Sequence, residues 1–499
     1  SARRYLSASA NTPAPPANQT DAPAANKWVA FTAIGIAFFT MVASMGMVFI
    51  ALSQIADTFG VTLRSASWIV IVQGLTISAF MLPMGRFADI VGRKQVHLIG
   101  LILFASGSVI TALAPSFGLL ILARIVTAVG NSMGQSVGTA MVLSVFPARE
   151  RGKAIGAQTT SVAIGGAIGP VIAGLWLQFF SWETLFLMLT IPIGIAFIAG
   201  YFILDEKIVS QQRSGAKPNF DWMGAIVSGV IIIIVVILIN NPFDVAILSP
   251  LILGGIVSAV LLLAFFIRWE LKSSSPMLDL RMFKNIMFSM AIATRFLGFL
   301  GTTTVRFLMP IYLISLRNIE EAAAGGILFL TSLGMAGAAS SSGRMGDKIG
   351  ERPFTIVGFS FLVATAVAFM VFTSETSFWM VSVVLLVNGI AMGLWGVPNN
   401  STILGSVSKE SFGVVGALTN LTRNVGNVAG QAIASAVVVG VMVADGFDIP
   451  LSDITGNKAA SDSFMNGWKY AYMLVTIFSL IGLSLAIMTK PTKNIESDE

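Results

Sequence analysis

Gly85-Arg86-Phe87-Ala88-Asp89-Ile90-Val91-Gly92-Arg93-Lys94 returns later in the chain as Gly343-Arg344-Met345-Gly346-Asp347-Lys348-Ile349-Gly350-Glu351-Arg352. Gly, Arg, Asp and Gly are all displaced by the same 258 positions, the distance from Gly85 to Gly343. Each copy reads as a short polar loop between long apolar runs. A membrane unit has therefore been duplicated in the same orientation, and the same sentence punctuates both halves at the same place.

The composition fits a lipid solvent. Hydrophobic residues make up 55% of the 499 and charged residues 11%, against roughly a quarter charged in a soluble domain. Mean hydropathy is +0.84. The absence of cysteine excludes disulfides, thiolate metal sites and thiol catalysis. The single His97 beside the first copy reads as a helix-end residue, and no His or carboxylate cluster suggests a metal. No G-x-x-x-x-G-K-S/T loop offers an ATP site, so no cofactor is expected and an enzyme is the weakest class. The net charge of +6 matters here for its placement across the bilayer, and nucleic acid is not an expected partner.

A helix needs about 20 mostly apolar residues to cross the hydrocarbon. Such runs lie near 28–52, 67–85, 96–115, 117–146, 154–180, 182–204, 222–240, 247–267, 287–314, 324–342, 354–373, 377–407, 413–443 and 467–489. The expectation is an all-α membrane protein of fourteen transmembrane helices. Residues 1–27 read as a flexible cytoplasmic tail, 28–204 as a six-helix bundle, 205–286 as a linker carrying two extra spans, 287–489 as a second six-helix bundle, and 490–499 as a cytoplasmic tail. With both termini in the cytoplasm, 22 of the 30 Lys and Arg fall on that side and four, Arg64, Arg317, Lys458 and Lys469, on the other. The positive-inside rule fixes this orientation.

The repeated decapeptide resembles the G-x-x-x-D-x-x-G-R-K/R signature of the major facilitator superfamily, whose transporters are built from two parallel halves. Pro276-Met277-Leu278-Asp279-Leu280-Arg281-Met282-Phe283-Lys284-Asn285 and the spacing of Asn420, Arg423 and Gly426 are similar to stretches of its fourteen-span drug:proton antiporter branch. The resemblance covers nearly all of 28–489. It implies two six-helix bundles plus two inserted helices, a monomer in the cell membrane, small-molecule export by alternating access, and protons as the candidate coupling ion. It also implies a cytoplasmic gate at Gly85, Arg86, Asp89, Gly92 and Arg93, with Gly343, Arg344, Asp347 and Gly350 as its second copy; a simple tight turn is the plainer alternative. Glu351 stands where the first copy has Arg93, so the second gate is expected to matter less. Span 5 carries Gly156, Gly165, Gly169, Pro170 and Gly174 with the spacing of the antiporter motif of exporters, except that Ala173 replaces a usual Gly. Small residues there let a helix approach closely, and Pro170 should bend it.

Four arginines fall inside spans: Arg124, Arg295, Arg306 and Arg423. On these boundaries no carboxylate answers them, because every one of the 24 acidic residues but Glu183, at the very start of the run 182–204, falls in a loop or tail. An ionisable residue within a span is a functional candidate. Arg295 and Arg306, eleven residues apart, share a helix face to within about 20°; they either face a cavity or stretch to the interface. Asn131 and Gln135 among the glycines of span 4, Trp395 and Asn399 beside Pro398, and Asn420 beside Arg423 complete the candidate substrate-binding set. The cargo is expected to be a lipophilic small molecule, or alternatively an organic anion or acidic lipid moved by exchange or facilitated diffusion. A non-transporting sensor is the third reading.

Overall fold

The computed structural model describes residues 24–61, 63–209, 220–240, 249–408, 411–447, 454 and 457–489. Of the tails expected at 1–27 and 490–499, residues 1–23 and 490–499 lie outside these, as do 241–248, while 24–27 are not tail but the first turn of a helix that starts at Ala24. Because a backbone in hydrocarbon must satisfy every N–H and C=O internally, the apolar runs form helices. Fourteen of them are long and apolar enough to cross a membrane among the described residues. They are α1 (Ala24–Phe59), α2 (Leu63–Val91), α3 (Arg93–Ala112), α4 (Phe117–Val145), α5 (Arg151–Trp176), α6 (Trp182–Ile203), α7 (Trp222–Asn240), α8 (Pro250–Lys272), α9 (Ile286–Pro310), α10 (Glu321–Ile349), α11 (Arg352–Met370), α12 (Phe378–Gly405), α13 (Phe412–Ala444) and α14 (Lys458–Met488).

The duplication is visible in the packing. In the first half α1 lies on α5 and α6, α2 on α4, and α3 on α4 and α6. In the second half α9 lies on α13 and α14, α10 on α12, and α11 on α12 and α14, the same pattern moved by eight helices. Between the halves α5 meets α10 and α2 meets α13. The inserted α7 packs against α8 and α2, outside this symmetric core. Glycines allow the closest crossings: a Cβ on Gly100 would stand 2.9 Å from the Gly130 carbonyl oxygen, and one on Gly134 would stand 2.6 Å from Met41 Cε. After Pro310, which cannot donate a backbone bond, α9 continues as a π-helix over Ile311–Leu316.

Two sequence expectations need correction. The signature stretches are not loops: α2 runs to Val91 and α10 to Ile349, so both Asp residues sit on the last turns of helices. The turns are made only by Gly92 (φ +124) and Gly350 (φ +92), backbone that a side chain would strain. Nor are the carboxylates confined to loops. Asp89, Glu183, Glu270, Asp347 and Asp462 all lie within the spanning helices. The apolar run alone underestimates helix length, because a helix continues past its apolar part wherever other residues cover its polar end.

Candidate functional site

At the end of the molecule that carries the repeated motif, each half grips the other. Asp89 ends α2 and faces the first turn of α13, where Val414 donates its N–H to Oδ2 at 3.2 Å. Arg93 donates from Nε and Nη2 to Oδ1 at 3.2 and 3.0 Å, and from Nη1 to Ser144 Oγ at 3.3 Å. Both side chains of this ion pair are buried, 5% and 2% exposed. Asp347 ends α10 and faces the first turn of α5, where the N–H groups of Gly152 and Lys153 donate to its two oxygens at 2.7 and 2.8 Å. A carboxylate at a helix N-terminus satisfies orphan N–H groups and gains from the macrodipole.

Missing side chains make both grips possible. A Cβ on Gly413 would meet the Asp89 carboxylate, and one on Gly152 would sit 2.7 Å from Asp347 Oδ1. Gly85 lies against Ala417, Gly343 against the Gly152 carbonyl, and Gly156 against that of Ala339. Thr160 extends the α5–α10 seam through Ala336 O at 3.1 Å and Ser340 Oγ at 3.0 Å.

The seam then opens. Gly325 lies eighteen residues before Gly343, about five turns and so on the same face of α10. Where Gly343 touches Gly152, a Cβ on Gly325 would meet nothing within 4 Å, and neither would one on Gly174 towards the far end of α5. The two helices therefore diverge away from the latched end. Between the halves lies a cavity of about 320 Å³.

Its wall is chemically lopsided. The first half contributes Val42, Met45, Ser78, Gln135, Thr139 and Gln158, none of them charged. The second half contributes Arg295, Arg306, Arg423, Trp395, Asn400, Asn420, Asn424 and Asn427. Among the described residues, three arginines and no carboxylate line the space. Arg295 is buried, donates from Nε to the Thr419 carbonyl at 2.9 Å and lies over the Phe299 ring. Arg423 reaches across to Gln135 Oε1 at 2.8 Å, while Asn420 Nδ2 donates to the Gln135 carbonyl at 3.0 Å. Arg306 is exposed to the cavity and has no protein partner among the described residues. The Arg423 charge repels both Arg295 and Arg306. Trp395 is buried against Phe299 and Phe359 with its indole N–H unpaired.

The structure gathers Gln135, Arg295, Arg306, Trp395, Asn420 and Arg423 from the sequence-derived set at this cavity. It puts Arg124, Asn131 and Asn399 elsewhere. Arg124 is fully buried between α4, α2 and α6, donating to Gln73 Oε1 and lying over Phe186. Asn131 pairs with Gln135 Nε2 at 2.6 Å and donates to the Met41 carbonyl at 3.4 Å. Asn399 turns to the Ala291 carbonyl at 3.0 Å, joining α12 to α9. In the antiporter motif Gly165, Gly169 and Pro170 fit against Phe39, Ala43 and Gly46 of α1, so only Gly156 packs across the halves, and Gly174 touches nothing. Arg86 acts electrostatically on Asp89, and Arg344 is exposed. Sequence reasoning missed Gln158 and Phe299; a lone Gln inside the small-residue span 5 was the available signal.

A model of the Major Facilitator Superfamily matches residues 34–431. The chain belongs to that superfamily. It is a multi-pass integral membrane transporter similar to efflux proteins of the fourteen-span branch. The riboflavin transporter RibZ of Clostridioides difficile is 28% identical over 94% of this chain and 99% of its own length. The multidrug resistance protein Stp of Mycobacterium tuberculosis is 26% identical over 81% of this chain and 75% of its own. Among solved structures, the human organic anion transporter MFSD10 superposes with a TM-score of 0.62 at 14% identity, covering 91% of this chain and 99% of that one. The last likeness concerns the fold alone.

Proposed function

We propose that this transporter exports lipophilic small molecules across the cell membrane by alternating access, and that its cargo carries negative charge or an oxygen-rich edge. The observation that carries the charge assignment is Arg306, which points into the cavity unpartnered beside Arg423 and Arg295. An arginine removed from water costs from about 2.5 to well over 10 kcal/mol unless something answers it. A ligand anion answers it through charge-assisted hydrogen bonds, while Trp395, Phe299, Met335 and Met392 cover the apolar part of the same molecule.

The Lys and Arg distribution supports a cytoplasmic latch, and the described conformation is then open to the outside. Relatives named for multidrug resistance, with the span 5 motif, support export. A second reading is a flat, oxygen-rich aromatic solute, favoured by the Trp395–Phe299 wall with Asn400, Asn424 and Asn427 around it, and by the relative named for riboflavin. Flux into proteoliposomes with anionic, neutral aromatic and cationic lipophiles separates these readings. Imposing a pH gradient in the same assay tests proton coupling. Arg306→Gln should weaken anion binding by about tenfold or more, the equivalent of roughly 1.5–3 kcal/mol for a lost charge-assisted bond, and leave neutral solutes nearly unchanged. Robust efflux of lipophilic cations with no anion flux would overturn the charge assignment.

A further inference from the structure

A second pair of carboxylates lies outside the cavity, where the inserted helices meet the latch helix. Asp221 precedes α7 and caps it, accepting the Gly224 N–H at 2.8 Å and the Trp269 indole N–H at 3.0 Å. Glu270, near the end of α8, accepts the Leu278 N–H through Oε2 at 3.1 Å. Its other oxygen, Oε1, is buried and has no hydrogen-bond partner among the described residues, although the residue is only 3% exposed. Both carboxylates converge on Gly224: a Cβ there would run into Glu270 Oε1 and also stand 2.8 Å from Asp221 Oδ2. Phe266 and Ala225, one turn from Glu270 and Asp221 on their own helices, and Met277 and Leu278 are buried in one apolar cluster. Among the described residues, the charges acting on Glu270 are those of Asp221 from α7 and Arg86 from α2, and the segment after α8 supplies the backbone N–H groups of Met277 and Leu278.

We infer that Asp221 and Glu270 are a proton-binding site that ties the inserted helices to the latch. Two carboxylates that converge on one glycine repel each other, and a proton taken up on Glu270 removes that repulsion. The proton supplies the donor that the bare Glu270 Oε1 lacks. Arg86 transmits the charge state. It lies one turn before Asp89 on α2, and its charge acts on both Asp89 and Glu270. With a proton in the pair, the single remaining negative charge leaves more of the Arg86 field to Asp89, and the latched state is favoured. Loss of the proton adds a competing charge, draws Arg86 towards α8 and loosens α2 from α13.

The test needs no substrate, so its failure is distinct from failure of the proposed cargo. The chain has no cysteine, so spin labels placed at exposed Gln95 of the first half and Lys348 of the second report only the latched end. In lipid nanodiscs the separated population should grow as pH rises from about 5 to about 8, with a ratio changing by up to about tenfold per pH unit while one proton is released. Glu270→Gln and Asp221→Asn should hold the short distance at high pH and flatten the response. Gly224→Ala, which wedges the carboxyls apart, should weaken it as well and serves if either of the others fails to fold. An unchanged pH response in the folded variants overturns the inference. So does a wild-type response that follows sodium concentration at fixed pH.

Discussion

The two latches solve one problem with different chemistry. At the first, a carboxylate is neutralised by an arginine from its own segment and makes one bond, at 3.2 Å, to the opposite half. At the second, there is no such arginine, and the carboxylate makes two shorter bonds to the opposite half, at 2.7 and 2.8 Å. The position of Arg93 is taken by Glu351, which turns aside to accept a hydrogen bond from Ser401 at 3.0 Å. The first latch is thus an ion pair that happens to touch a helix end, and the second is a helix cap. Repeated sequence preserved the geometry and let the electrostatics diverge. Losing the basic residue does not remove the second grip, because backbone N–H groups supply it.

If that contrast is right, Asp89→Asn has the largest effect. It strands a buried Arg93, and breaking a buried pair from one side costs about 3–5 kcal/mol. The ratio of latched to unlatched protein should fall by about two orders of magnitude or more, read as faster labelling of a cysteine placed at the latched end. Asp347→Asn comes next. An amide keeps one acceptor oxygen for two N–H donors, so the loss is that of a charged hydrogen bond, about 1.5–3 kcal/mol. Equal labelling rates in the two variants would break the comparison.

Glu351→Arg sharpens it by rebuilding the first latch inside the second. An arginine four residues after Asp347 should pair with it as Arg93 does with Asp89, adding up to about 1 kcal/mol at a partly covered site and slowing turnover without loss of protein. A variant that labels faster than wild type would show that Asp347 needs its charge unshared. The smallest effect belongs to Glu150, just before α5, which pairs with Lys27 of α1 at 2.9 Å. The Lys27 ammonium, with Lys153 and Arg149 nearby, holds its carboxyl below the usual value of 4.5. A depressed pKa contributes stability that is present above the unfolded value and lost as pH falls through the folded one. Glu150→Gln should therefore lower thermal stability at pH ~7 by a few tenths of a kcal/mol and make no difference once the pH lies well below 4.5.

The number of spans, the duplication and the three cavity arginines Arg295, Arg306 and Arg423 were legible in the sequence, because lipid forces apolar runs into helices and makes an ionisable residue among them conspicuous. Arg124 was equally conspicuous and lies away from the cavity, since hydropathy does not say which face of a helix a residue occupies or that Gln73 and Phe186 cover it. Asn399 looked the same as Asn400 in the sequence; about 100° of helical rotation sends one to the Ala291 carbonyl and the other to the cavity wall. Asp221 and Glu270 gave no local signal at all, because what sets them apart is a meeting across Gly224 between helices 28 residues apart at Trp222 and Pro250. Composition and repetition fixed the solvent, the helices and the two-fold plan. Which polar groups face one another depended on rotation and crossing of helices, and only tertiary packing sets those.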